Sequence, residues 1–169
     1  MAALAPIALF LLWFATSDTL RQFVVALDPR TLTFLQDWRI AGLAFLALYT
    51  YGLLPGLFAL PAGWGDIVIG ATAPLVAMRL ANPDHRKSFI LWPLLGIADL
   101  VTAVTMGTTA RLIEPHGIAT SPMTVLPLSL IVTFAVPLLF ILHILCIAQG
   151  RHWHEQKISS VGERLPASV

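Results

Sequence analysis

Charged side chains are scarce in this chain of 169 residues: it has 10 Lys and Arg, 9 Asp and Glu, and 11 % charged residues in all. Soluble domains carry about 25 % charged residues, so the scarcity argues against an ordinary soluble domain. The net charge of +1 leaves no basic surface for nucleic acid. Cys146 is the single cysteine, which excludes an intramolecular disulfide.

Apolar residues fill the chain instead. They make up 57 % of it, the mean hydropathy is +0.82, and they fall into five separate stretches that one soluble core could not hide. A helix needs about 20 apolar residues to cross a bilayer. The sequence therefore predicts an all-α, polytopic membrane helical bundle with about five transmembrane helices. The predicted spans cover roughly residues 2–17, 32–54, 64–80, 88–110 and 124–149.

The basic residues predict the orientation of these spans. Nine of the 10 Lys and Arg lie in the connections on one side of the five predicted helices, in the span ends next to them or in the tail, and only Arg111 lies on the other side. Because Lys and Arg are retained in the cytoplasm, we expect the N-terminus outside and the C-terminus in the cytoplasm. We predict a single transmembrane domain over 1–150 and a cytoplasmic polar tail over 151–169. No Lys or Arg precedes the first apolar segment, so we interpret it as a retained helix and not a cleaved signal.

Three polar residues are predicted to lie inside the spans at similar depths. From the cytoplasmic side, Arg39 lies about 10 Å deep, His143 about 9 Å and Asp99 about 16 Å at 1.5 Å per residue. A charge in hydrocarbon needs a partner, so we expect Arg39 to pair with Asp99 and His143 to complete the network. Two interpretations stay open: a site for ligand or protons, and a pair that only holds helices together.

The segment Gly63-Trp64-Gly65-Asp66 is predicted to form a tight turn at the outer face. Its glycines favour a turn, and Asp66 would then stand in a first helical turn, where the positive end of the helix dipole favours a carboxylate. A ligand-contacting outer loop is the alternative.

The same four residues resemble the Gly-x-Gly-Asp motif of intramembrane aspartyl proteases, with Asp99 as the second carboxylate. Three features oppose this interpretation: the order of the two aspartates is reversed, the Tyr-Asp and Pro-Ala-Leu motifs are missing, and Asp66 and Asp99 should differ in depth by about 10 Å. Only His143 lies within a predicted span, which argues against bis-histidine haem, and His152-x-His154 is a weak metal pattern. We expect no cofactor and no metal.

Several motifs together resemble a family of small, uncharacterised bacterial multi-pass membrane proteins. They are Trp38-Arg39 through Gly42, Gly52-Leu53-Leu54-Pro55, Phe58 through Asp66, Gly96-Ile97-Ala98-Asp99-Leu100, Pro127-Leu128-Ser129-Leu130, Phe134, Pro137-Leu138 and His143. The resemblance covers roughly residues 32 to 146. It implies a helical membrane fold in a bacterial inner membrane and a shared set of polar positions, Arg39, Asp66, Asp99 and His143, but no activity.

These observations favour a membrane protein that binds or transports a small or lipid-soluble ligand at Arg39, Asp99 and His143. An accessory structural subunit of a larger membrane complex is the alternative, and a membrane-embedded enzyme is the third. Membrane lipid is an expected partner. Transport would require a homo-oligomer if one chain were too small to enclose a pathway.

Overall fold

The computed structural model describes residues 4–162, and the side chains of Arg111 and of residues 155–162 are not described. The described residues form helices and no strand, which confirms the all-α prediction for them. Their α-helices are α1 Leu4–Thr16, α2 Asp18–Ala26, α3 Pro29–Phe34, α4 Leu43–Thr50, α5 Gly56–Arg79, α6 Arg86–Ile113 and α7 Val136–Gly162. Short 3-10 helices cover Asp37–Gly42, Pro83–His85 and Ser121–Thr124, and a π-helical turn covers Ile131–Ala135.

Three helical segments are long and apolar enough to cross a membrane. They are Gly56–Arg79, Pro83–Ala110 and Ile131–His154, and α1 with α2 makes a fourth if this pair, bent by 100°, counts as one span. Length and composition of the described helices are therefore compatible with a membrane location.

The predicted second span, residues 32–54, is not one continuous helix. It consists of α3, the 3-10 helix Asp37–Gly42 and α4, and α4 with 8 residues rises only about 12 Å. A 3-10 helix has three residues per turn, so Gln36, Arg39 and Gly42 fall on one face, and all three are buried. The 3-10 helix thus directs a row of polar and small residues toward the interior. In an α-helix, residues at this spacing would be spread around the helix surface.

The broken segment lies antiparallel along α5. Glycines on α5 allow the close approach: a Cβ on Gly70 would lie 2.6 Å from the backbone nitrogen of Ile40, and one on Gly63 would lie 2.6 Å from Leu46. Farther along, a Cβ on Gly56 would lie 2.9 Å from the ring of Tyr49. Residues 29–50 therefore cover α5 along most of its length.

Helices α5, α6 and α7 pack as antiparallel neighbours. Trp92 on α6 donates to the hydroxyl of Thr72 on α5 at 2.9 Å. Phe89 on α6 packs on Trp153 of α7, with ring centroids 5.0 Å apart. Because α5 and α7 run in one direction and α6 in the other, residues near their centres come to the same level.

Hydrogen bonds join the helices at one end of the bundle, the end that carries Arg86, and we call it the basic end. The amide of Gln149 donates to the carbonyls of Val24 at 2.7 Å and Leu27 at 2.6 Å. Arg86 donates from Nε to the carbonyl of Gly150 at 2.8 Å. The opposite end, where α5 begins and the segment Ser121–Thr124 lies, is called the open end.

The predicted polar tail begins as a continuation of α7, which runs on to Gly162. Its last residues, 163–169, lie outside the described residues. Between α6 and α7 the chain forms the 3-10 helix Ser121–Thr124 and the π-helical turn, so α7 itself begins later than the predicted fifth span.

Candidate functional site

Each of the three candidate spans carries one titratable side chain near its centre. Counted from the open end of its span, Asp66 is residue 11, Asp99 is residue 12 and His143 is residue 13. At a rise of about 1.5 Å per residue these positions lie at one level of the bundle. The buried face of the 3-10 helix brings Arg39 to the same level.

Arg39 contacts all three of these side chains. Its Nε donates to Oδ1 of Asp66 at 2.7 Å, Nη1 lies 2.9 Å from Nε2 of His143, and Nη2 donates to Oδ2 of Asp99. The side chain of Arg39 is 0 % exposed, against 17 % for Asp66 and 14 % for Asp99. We call these four residues the Arg39 cluster. Arg39, Asp99 and His143, which the sequence predicts to meet, are thus brought together, and Asp66 joins them.

The contact with Arg39 sets the tautomer of His143. A guanidinium has only donors, so Nε2 of His143 must accept and the proton must reside on Nδ1. A protonated imidazolium would oppose two N–H donors at 2.9 Å. His143 is therefore neutral in this arrangement. Its Nδ1 is buried and has no hydrogen-bond partner among the described residues.

Small residues make room for the cluster. A Cβ on Gly65 would collide with the carboxylate of Asp99, and one on Gly96 would collide with the ring of His143. Trp92 packs on the other side of this ring, edge to face, with centroids 5.5 Å apart. The backbones of α5 and α6 are thus close enough for the charged groups to meet without water between them.

The predicted outer turn at Gly63-Trp64-Gly65-Asp66 is wrong. These residues lie inside α5, which begins at Gly56, so Asp66 is not at a helix start. The two glycines and Pro61 resemble a turn in sequence, but a helix tolerates an internal proline and uses glycine where another helix must approach closely.

A different pattern in the same segment indicates the helix. Small and apolar residues recur every three or four positions and form one buried stripe on α5 that continues through the position of Asp66. The stripe consists of Ala59, Ala62, Gly63, Ile69, Gly70, Ala73, Val76 and Ala77.

The arrangement of the carboxylates also bears on the aspartyl-protease interpretation. Asp66 and Asp99 lie at one level, so the predicted difference in depth does not hold. A different feature opposes a catalytic dyad. In such a dyad two carboxylates share one proton, whereas here the guanidinium of Arg39 donates hydrogen bonds to both carboxylates.

Gln36 is a buried polar residue that the sequence interpretation missed. Its side chain is 0 % exposed, and neither amide atom has a hydrogen-bond partner among the described residues. It lies one 3-10 turn before Arg39, and Thr33, one turn earlier, lies 3.9 Å from the sulfur of Cys146. The three-residue spacing of these positions is the sequence signal that identifies them. Among the described residues no group of three or more His, Cys, Asp or Glu side chains could hold a metal.

A cavity of about 550 Å³ extends from the Arg39 cluster toward the open end. Its cluster end is lined by Arg39 and Asp66, and its far end by Thr108, Thr120 and Thr124. The walls between them are apolar and come from α4, α5, α6 and the start of α7, and they include Phe45, Phe58, Leu100, Ala103, Ile131 and Leu139. The chain therefore holds an apolar chamber with a charged group at one end.

The family comparison agrees with the resemblance carried by the motifs. A family model described as a domain of unknown function, DUF8737, matches residues 1–149, so the chain belongs to this uncharacterised family. No curated protein and no solved structure matches the chain.

Proposed function

We propose that this member of the DUF8737 family is a bacterial inner-membrane protein that binds a small, lipid-soluble ligand in the cavity beside the Arg39 cluster. The observation that carries the proposal is an apolar cavity of about 550 Å³ with one charged end. Small-molecule sites are clefts of about 300–1,000 Å³ with mostly apolar walls and a few polar groups that fix orientation. The chamber has both properties.

We further propose that the chain crosses the membrane five times, with the N-terminus outside and the C-terminus in the cytoplasm. The three continuous candidate spans support three crossings, and the pair α1–α2, bent by 100°, supports a fourth if it counts as one span. Residues 29–50 supply the other. At about 1.5 Å per α-helical and 2.0 Å per 3-10 residue, α3, the 3-10 helix and α4 together rise about 33 Å. Their antiparallel course along α5 supports this crossing, because α5 itself has 24 residues.

The orientation can be tested by labelling. His85 belongs to the connection at the basic end, and Ser121 to the segment at the open end. In a Cys146→Ala background, a membrane-impermeant maleimide added to intact cells should label Ser121→Cys and leave His85→Cys unlabelled until the cells are opened. The reverse pattern would overturn the orientation, and labelling of both in intact cells would overturn the crossing number.

Ligand binding can be tested by filling the cavity. Ala103 lines the chamber, whereas Val101 on the same helix is 49 % exposed on the outside of the bundle. A photoactivatable long-chain alcohol, added to the protein in lipid nanodiscs, should attach to residues that line the cavity. Ala103→Phe should reduce this attachment several-fold, and Val101→Phe, which places the same ring outside, should leave it unchanged.

The photolabelling result separates binding from a purely structural role. If the adducts fall evenly over lipid-facing residues, or if Ala103→Phe leaves their distribution unchanged, the cavity does not bind the probe and the proposal fails. Because the chamber lies within one chain, its occupancy needs no second copy. Photolabelling should therefore persist in nanodiscs that contain a single chain.

A further inference from the structure

The Arg39 cluster has one negative charge more than positive charges when its carboxylates are ionised. Arg39 contributes one positive charge, Asp66 and Asp99 contribute two negative charges, and the tautomer of His143 fixed by its contact with Arg39 makes the imidazole neutral. These four residues come from four different elements: the 3-10 helix, α5, α6 and α7. An uncompensated charge in a place of low water content attracts a counter-charge strongly.

The negative charge of the cluster is accessible, and the positive charge is not. The guanidinium side chain is 0 % exposed, because three partners surround it. Asp66 lines the cavity, and its carboxylate side chain is 17 % exposed. Arg39 also lines the cavity, but its side chain is covered, so a group that enters the cavity meets the carboxylate of Asp66 first.

Asp66 also has unused acceptor capacity. Its Oδ1 accepts from Arg39, while no described residue donates a hydrogen bond to its Oδ2. A carboxylate offers about four acceptor positions over its two oxygens. An ammonium group, with several N–H donors and a positive charge, matches this free oxygen in both respects.

We infer that the cavity selects an amphiphile with a singly charged ammonium head, which binds at Asp66, and an apolar chain, which lies along the walls toward Thr108 and Thr124. This inference rests on the proposed function and adds the chemical class of the ligand. A carboxylate-headed amphiphile would meet Asp66 as a like charge, and an alcohol would leave the excess charge unbalanced.

The test compares three ligands that differ only in the head group. Dodecylammonium, dodecanol and dodecanoate are titrated separately into the full chain in zwitterionic lipid nanodiscs, and empty nanodiscs correct for partition into lipid. Each titration measures displacement of the photoactivatable alcohol. We expect dodecylammonium to bind about tenfold or more tighter than dodecanol, as hydrogen bonds to a charged group imply, and dodecanoate to bind weakest.

Variants then assign the preference to Asp66. Asp66→Asn should bring the ratio of ammonium to alcohol affinity, both measured in that variant, close to one. Asp84→Asn, which removes an exposed carboxylate in the connection between α5 and α6, should leave the ratio as it is in the unmodified chain. If Asp66→Asn does not fold, the order of the three affinities in the unmodified chain still decides whether the cavity selects a cation.

The outcomes distinguish the two proposals. If none of the three amphiphiles displaces the probe, the proposed ligand-binding function fails, and the charge inference fails with it. If all three bind equally, or dodecanoate binds tightest, the cavity is a binding site but its selection for a cation is wrong. If the ammonium preference persists in Asp66→Asn, the charge resides elsewhere and the assignment to Asp66 is overturned.

Discussion

Removing the two carboxylates of the Arg39 cluster, one at a time and then together, should change stability in a strongly non-additive way. Arg39 is held by both Asp66 and Asp99 and is fully covered by its partners. Asp66→Asn or Asp99→Asn alone leaves the guanidinium of Arg39 paired with one carboxylate, and this pair has no net charge. The new asparagine still offers an oxygen acceptor. The double variant leaves a buried positive charge without any carboxylate, next to neutral acceptors only, such as Nε2 of His143.

The expected size of the effect follows from the charge count. Each single variant loses a charge-assisted hydrogen bond but also removes the excess negative charge, so we expect each to change the free energy of unfolding by no more than about 1 kcal/mol. Removing the charged partners of a buried ion costs about 3–5 kcal/mol. The double variant should therefore exceed the sum of the single variants by at least about 1 kcal/mol, a coupling typical of groups in one network. Arg39→Gln leaves two carboxylates without their cation and should also cost about 3–5 kcal/mol.

Equilibrium unfolding in mixed detergent micelles, followed by far-ultraviolet circular dichroism, measures these differences. Asp84→Asn, exposed between α5 and α6, is the matched control and should have no effect. Additive losses, or a loss of several kcal/mol on replacing Asp99 alone, would show that Arg39 does not share its charge between two carboxylates. Unchanged stability in every variant would refute the pairing itself.

Three further predictions concern other contacts. Gly65→Ala should lower the free energy of unfolding by about 1–3 kcal/mol, since its new methyl group collides with Asp99, and thermal unfolding measures this. Gln149→Leu removes the side-chain donor to the two carbonyls at the end of α2. The backbone N–H groups of α2 should then exchange with solvent faster, and the free energy of unfolding should fall by about 1–3 kcal/mol. Asp28→Ala should cost about 0.5–2 kcal/mol at neutral pH, because Asp28 caps α3. Burial raises the pKa of Asp28, but hydrogen bonds from Thr31 and two backbone N–H groups outweigh burial and hold this pKa below 3.8. The stability that the cap contributes is therefore fully present above pH 3.8 and is lost as the pH falls through the lowered pKa.

Each of these predictions has a matched control. Gly107→Ala places a methyl group no closer than 3.2 Å to Phe58 and should cost less than the change at Gly65. Gln149→Glu keeps the size of the side chain but removes its N–H donor, so it should resemble Gln149→Leu in the exchange of α2. Asp28→Asn keeps a cap that does not titrate, so its stability should lack the acid transition of the unmodified chain. Equal pH dependence of stability in the Asp28→Asn variant and the unmodified chain would contradict the capping argument.

The meeting of Arg39, Asp99 and His143 could be predicted because depth in a helix follows from counting residues. A rise of about 1.5 Å per residue is nearly constant, so two residues at similar counts from one side of a membrane lie at similar heights. The need of a buried charge for a partner then selects the pairs. This reasoning requires only that the helix ends be placed within a few residues.

The sequence interpretation places Asp66 at a helix start because it begins the third span at residue 64, whereas α5 begins at Gly56. Pro61, Gly63 and Gly65 are typical of a turn in water, where their cost to a helix is not offset by packing. Here the glycines allow α5 to lie against the broken segment and against Asp99, so tertiary contacts stabilise a helix that local preferences disfavour. The break near Asp37 is likewise a tertiary effect, since it requires the close approach at Gly70.

The direction of the cavity could not be predicted from the sequence, because it depends on where neighbouring helices stay too far apart for their side chains to contact. The chamber lies where the segment from Trp38 to Phe45 faces α6 and α7 across a gap. Helix spacing of this kind is set by the sizes of several side chains at once. No single motif in the sequence carries it.

The fastening at the basic end has a mechanical consequence for the bundle. Gln149 ties α7 to the end of α2, and Arg86 ties α6 to α7 at nearly the same level. At the other end, a side-chain hydrogen bond from Thr120 to the carbonyl of Gly107 at 3.1 Å joins the described elements, so thermal motion should separate the helices more easily there, with the tied end as the pivot. Under the proposed function, a ligand would enter sideways from the lipid as these ends separate, while the ion pairs of the Arg39 cluster stay in place.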